Sequence, residues 1–136
     1  MRDLQAEQEL ESVLRDLRGG RGRAVLVIEP NPDHQSKLAR LISVNGHRAI
    51  ATSTLEGAHS FLRAFPVELV LLAEELCGNN PLRAVAAMVA ERPLARILIM
   101  VNADPDDSGV RAVRDQALEY VPRPLASRAV AGVLAG

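Results

Sequence analysis

The chain has 136 residues, 48% hydrophobic and 24% charged, with a formal net charge of -1. That length suits one domain with one core, and the balanced, interleaved charge lacks the basic face of a nucleic-acid binder. Its single cysteine, Cys77, excludes an intrachain disulfide and a cysteine zinc site, and no apolar run reaches the about 18–20 residues of a membrane span.

Residues 1–18 read as a helix, because Leu10, Val13, Leu14 and Leu17 recur at three- and four-residue spacing among charged positions. Gly19-Gly20-Arg21-Gly22 breaks it. Residues 1–23 are therefore predicted as an N-terminal helix and Gly-rich linker, and 24–136 as a separate domain. Residues 24–28 (AVLVI) form a continuous apolar run, as expected of a parallel strand buried on both faces. Asn31 and Pro32 suit the cap and first position of a helix whose buried stripe is Leu38, Leu41 and Ile42, ending at Asn45-Gly46.

The same unit repeats. Residues 48–51 are a weaker strand. Ser53 with Glu56 resembles a capping box ahead of a helical face of Ala58, Leu62 and Phe65. Residues 67–72 are the strongest strand. Asn80-Pro81 opens a helix carrying Leu82, Val85, Met88 and Val89. Residues 97–101 are the fourth strand, and Asp104-Pro105 opens a helix with Val110 and Val113. Residues 118–122 are the fifth strand, and 125–134 a final helix through Ala129, Val130 and Val133.

Five strands alternating with five helices predict an α/β fold, a doubly wound five-stranded parallel sheet covered on both faces, with an extra N-terminal helix. Sites in such folds lie beyond the carboxyl ends of the strands. The positions to inspect are 29–31, 73–75, 101–103 and 122–124.

The segments Val25-Leu26-Val27-Ile28, Glu68-Leu69-Val70-Leu71-Leu72 and Tyr120-Val121-Pro122-Arg123-Pro124 resemble, in order and spacing, the first, third and fifth strands of the response-regulator receiver domain, which is CheY-like and flavodoxin-like in topology. The resemblance covers residues 24–135. It implies a pocket in which an Asp at the end of the third strand accepts a phosphoryl group. Paired acids after the first strand would hold Mg²⁺, and a Thr or Ser hydroxyl and a Lys would contact the phosphoryl oxygens. This sequence departs at each place. Ala73 stands at the acceptor position, Glu29 and Pro30 at the acid pair, Val101 or Asn102 at the hydroxyl, and Arg123 at the Lys. A one-residue shift of the third strand would put Glu74 at the acceptor position instead.

The resemblance therefore implies a degenerate receiver, or pseudo-receiver, of two-component phosphorelay signalling. It is expected to be cytoplasmic and non-enzymatic, to need no metal or cofactor, and to act by protein–protein contact without phosphorylation. Glu29 and Arg123 are expected to form an ion pair across the strand ends. Tyr120 stands where the family carries its switch aromatic, and is expected to be fixed. Arg111, Arg114, Asp115, Glu119 and Arg128 decorate the expected fourth-helix, fifth-strand, fifth-helix face, a possible surface for a protein partner or a second copy. The N-terminal helix is another possible dimer contact. No nucleic acid or membrane is expected as a partner. A conventional phosphoacceptor with atypical residues, or a small-ligand-binding flavodoxin-like domain, are the alternatives. Cys77, His34, His47 and His59 show no redox or metal-ligand spacing.

Overall fold

Aliphatic runs with no polar face belong at the centre of a parallel sheet. In the computed structural model, which describes residues 23–101, 118–123 and 133–134, three such runs occupy that place. They are β1 (Ala24–Ile28), β3 (Leu69–Ala73) and β4 (Arg96–Val101). The edges are β2 (Arg48–Thr52) and the short β5 (Tyr120–Pro122). All pairings are parallel, in the order β2-β1-β3-β4-β5. This is the doubly wound flavodoxin-like order.

Successive strand residues point to opposite faces, so the sheet has two apolar clusters. One face, with Leu26, Ile28, Val70, Leu72, Ile99 and Val101, packs against α2 (Leu55–Ala64) and α3 (Pro81–Glu91) through Ala58, Leu62 and Met88. The other face, with Val27, Leu71, Ala73, Leu98 and Met100, packs against α1 (Pro32–Val44) through Leu38 and Ile42, and against Leu134. A 3-10 turn over Glu74–Cys77 joins β3 to the loop before α3.

Caps set the helix boundaries. Asn31 accepts from the amides of Asp33 and His34 with Pro32 following, and Asn80 accepts from Arg83 with Pro81 following, as expected. Gly46 has φ 84°, the left-handed conformation that closes a helix C-terminus. The guanidinium of Arg92 donates to the carbonyls of Leu62 and Phe65, satisfying the end of α2.

Four expectations need correction. The cap of α2 is Thr54, not Ser53; its Oγ1 accepts from the Gly57 amide at 3.0 Å, while the Ser53 hydroxyl lies 3.4 Å from Gln35 Nε2. β3 runs from Leu69 to Ala73, later than the expected 67–72, because Ala73 still pairs with Met100 of β4. β5 begins at Tyr120, not 118. On α3, Pro81 and Met88 are buried, but Leu82 and Val89 are exposed. The helices expected over 1–18 and after Asp104-Pro105, and most of that over 125–134, lie outside the described residues. No helix among the described residues is long and apolar enough to cross a membrane.

Candidate functional site

Parallel strands in register bring their carboxyl ends to one edge. Ile28 pairs with Leu72, Ala73 with Met100, and Val101 with Pro122. Glu29, Glu74 and Arg123 follow β1, β3 and β5 directly, so three charged side chains gather at that edge.

Glu29 is fully buried. A buried carboxylate is stable only when hydrogen-bonded and paired. Its Oε2 accepts from the Asn31 amide at 3.1 Å, and its Oε1 lies 3.5 Å from Arg123 Nη1 and 3.6 Å from His34 Nδ1. Asn31 therefore serves twice: its side chain caps α1 and its backbone amide holds Glu29.

Arg123 is tied at its backbone as well as its side chain. Its amide donates to the Val101 carbonyl at 2.7 Å, extending the β4–β5 ladder by one bond. The guanidinium meets both carboxylate oxygens of Glu75, with Nη1 to Oε2 at 3.0 Å, in a two-pronged contact. Glu74 Oε1 lies 3.7 Å from Nη2. The Arg123 and Glu74 side chains are largely buried, and Glu75 is about half exposed, at 48%. Burial acts against ionisation of Glu75, but the Arg123 hydrogen bonds and charge outweigh it and hold the carboxyl below its ordinary value. Burial likewise opposes the Arg123 charge, and the surrounding carboxylates reverse that and raise its pKa.

The Glu29–Arg123 pairing expected from the sequence is thus present, as one contact of a larger cluster. Glu74 and Glu75 were not expected as partners of Arg123. The 3-10 turn after β3 folds both back over the strand ends. The tandem acids were the only signal available in the sequence. Ala73 is fully buried among Leu71, Leu98 and Met100, on the same face as α1. Pro30 is exposed. Val101 does not join these residues, since its side chain packs in the opposite cluster with Ile99 and Leu72. Asn102, Arg111, Arg114, Asp115 and Arg128 lie outside the described residues. Tyr120 is exposed at 41%. Glu119 pairs with Arg96 at 2.8 Å on the surface.

The divalent cation used by the resembled family does not fit here. Among the described residues no three His, Cys, Asp or Glu side chains converge in metal-holding geometry, and the point where the carboxylates meet is filled by the Arg123 guanidinium. Beside α1 opens a cavity of about 1240 Å³, with Asp33, His34, Lys37, Arg40, Met100 and Arg123 in its lining.

Solved structures share this fold. A response regulator from Thermotoga maritima is 17% identical, with TM-score 0.70, over 84% of this chain and 95% of that one. A response regulator from Burkholderia pseudomallei, solved with a phosphorylated aspartic acid, calcium ion and citrate, is 24% identical, with TM-score 0.67, over 82% of this chain and 66% of that one. NtrX from Brucella abortus is 19% identical, with TM-score 0.69, over 82% of this chain but only 25% of its own length. The chain thus spans just under two thirds of the Burkholderia protein and a quarter of NtrX. No family model matches the sequence, and no curated relative matches it. The fold is that of response-regulator receiver, CheY-like domains.

Proposed function

We propose that this domain serves two-component-type signalling as a non-enzymatic, phosphorylation-independent protein-binding module. The observation that carries the reading is the pairing of an inert Ala73 at the end of β3 with an Arg123 already engaged by Glu29, Glu74 and Glu75. A methyl group offers no nucleophile for a phosphoryl group. The guanidinium supplies, from the chain itself, the positive charge that a metal ion and a Lys would otherwise bring to the strand ends. The partner is a protein, or a second copy of the chain, that recognises the domain in one standing state.

The test is exposure of the full chain to a labelled small phosphodonor with Mg²⁺, alongside a beryllofluoride titration followed by NMR at residues 29, 73 and 101. We expect no label and no saturable shifts. Ala73→Asp alone is also expected to remain unlabelled, because Arg123 and its carboxylates still fill the pocket. Stoichiometric, Mg²⁺-dependent labelling of the wild-type chain would overturn the proposal.

The cavity beside α1 favours a second reading, binding of a small charged molecule. Saturable shifts confined to Lys37, Arg40 and Met100 in a screen of small anions and cations, with no change at Ala73, would select it over protein binding.

A further inference from the structure

Arg23 is the residue before β1, and His47 the residue before β2. The Arg23 amide donates to His47 Nδ1 at 2.7 Å, and the Arg48 amide donates to the Arg23 carbonyl at 2.9 Å. Both backbone polar groups of Arg23 are thus engaged by the start of β2. The second bond is a backbone bond that pH does not touch. The first depends on a titratable ring, since Nδ1 can accept only while it lacks a proton, which places the ring proton on Nε2.

The surroundings favour that neutral ring. His47 is half-buried, and burial, then the Arg23 charge, hold its pKa below the ordinary histidine value against the opposing pull of Glu68. Glu68 reaches this corner because its amide donates to the Ala24 carbonyl. Arg48 is the adjacent residue on β2. The last turn of α1, residues 41–44, brings no charged side chain.

We infer that His47 is a pH-sensitive latch that holds Arg23, the residue before β1, to the start of β2, closed by the Arg23 bond when the imidazole is neutral and opened by its protonation. A group whose pKa is lowered by folding contributes stability above its ordinary value and loses it as pH falls through the lowered one. At neutral pH two bonds therefore hold the Arg23 backbone to the start of β2. In acid one of them is released while the β1–β2 ladder remains. The inference stands apart from the Arg123 pocket, because none of its contacts involves residues of that site.

The test is amide hydrogen exchange at Arg23 in the full chain, corrected for intrinsic rate, between neutral pH and about pH 5. Loss of one hydrogen bond is expected to lower Arg23 protection about fivefold in acid, with the Leu71 amide in β3 unchanged. His47→Asn places a non-titrating acceptor near the same amide and is expected to hold Arg23 protection level across the range. His47→Leu is expected to lower it at both ends. Imidazole nitrogen shifts of the wild-type protein are expected to show the Nε2–H form at neutral pH. Arg23 protection that does not respond to pH, or an Nδ1–H ring at neutral pH, would overturn the latch. Both readouts use the wild-type protein and need no variant to fold.

Discussion

Replacing Arg123 with methionine removes the guanidinium while keeping an unbranched apolar stem. Glu29, which is fully buried, and Glu74, which is nearly so, then lose the charge they face. Breaking a buried pair from one side typically costs about 3–5 kcal/mol, because the remaining charge stays out of water. Glu75 is half exposed and regains solvent, so its share is no more than about 1 kcal/mol. We therefore expect Arg123→Met to lower the unfolding free energy by about 3 kcal/mol at neutral pH, or roughly 10 °C in Tm for a chain of this size. The deficit is expected to shrink in acid. In the wild type, the stabilisation from Glu75, whose pKa is lowered, is present above the ordinary carboxylate range and lost as pH falls through the lowered value. Urea denaturation followed by circular dichroism, at neutral and acid pH, measures both effects. Adding Glu29→Gln to Arg123→Met is expected to recover about half of the loss, since the buried charge goes with its partner. A single variant within about 0.5 kcal/mol of wild type, or a double variant no better than the single, would show that the cluster is solvated and contributes nothing to holding the strand ends.

Three further outcomes follow from other parts of the fold. Arg92→Ala strips the Leu62 and Phe65 carbonyls of a charged donor and is expected to cost about 2 kcal/mol in the same denaturation assay, with Arg92→Lys recovering only part because it lacks the planar fork. Gly57→Ala offers a helix-propensity gain of about 1 kcal/mol, but its Cβ would come far inside contact distance of Thr52 Oγ1; we expect lower Tm for the single variant and only part of that loss recovered in Gly57→Ala with Thr52→Ala, because Thr54 Oγ1 and the residue-52 Cβ stay close. Burial, followed by the Glu74 and Glu75 charges, pushes the Cys77 thiol up to about 11, so a thiol reagent at mildly alkaline pH is expected to react slowly with native protein and rapidly once urea unfolds it.

Much of the frame was legible because it rests on local chemistry. The run AVLVI became β1 residue for residue, and both Asn-Pro pairs opened helices where expected. The misses have a common cause in competition between neighbours. Ser53 and Thr54 both carry a cap-forming hydroxyl, and Thr54 takes the role while Gln35 approaches Ser53. Leu82 and Val89 are as apolar as Val85, yet they lie roughly 100° around α3 from the Pro81–Met88 line that meets the sheet. At the site, the strand-end rule located Glu29, Ala73 and Arg123. Of the two positions it offered for the hydroxyl, Val101 packs in the opposite cluster, because one step along a strand reverses the direction of a side chain, and Asn102 lies outside the described residues.

From its sequence alone the order of the described strands and helices, the parallel sheet and the methyl side chain at position 73 were determined, since apolar period, caps and residue identity act over a few neighbours. Tertiary structure decided where the charges went. Arg123 is separated from Glu75 by 48 residues and from Glu29 by 94. Only the register of the parallel strands and the fold-back of the 3-10 turn bring three carboxylates to one guanidinium. Nor could spacing reveal that His47 would accept a bond from Arg23, 24 residues earlier, because that bond exists only once β1 and β2 lie side by side.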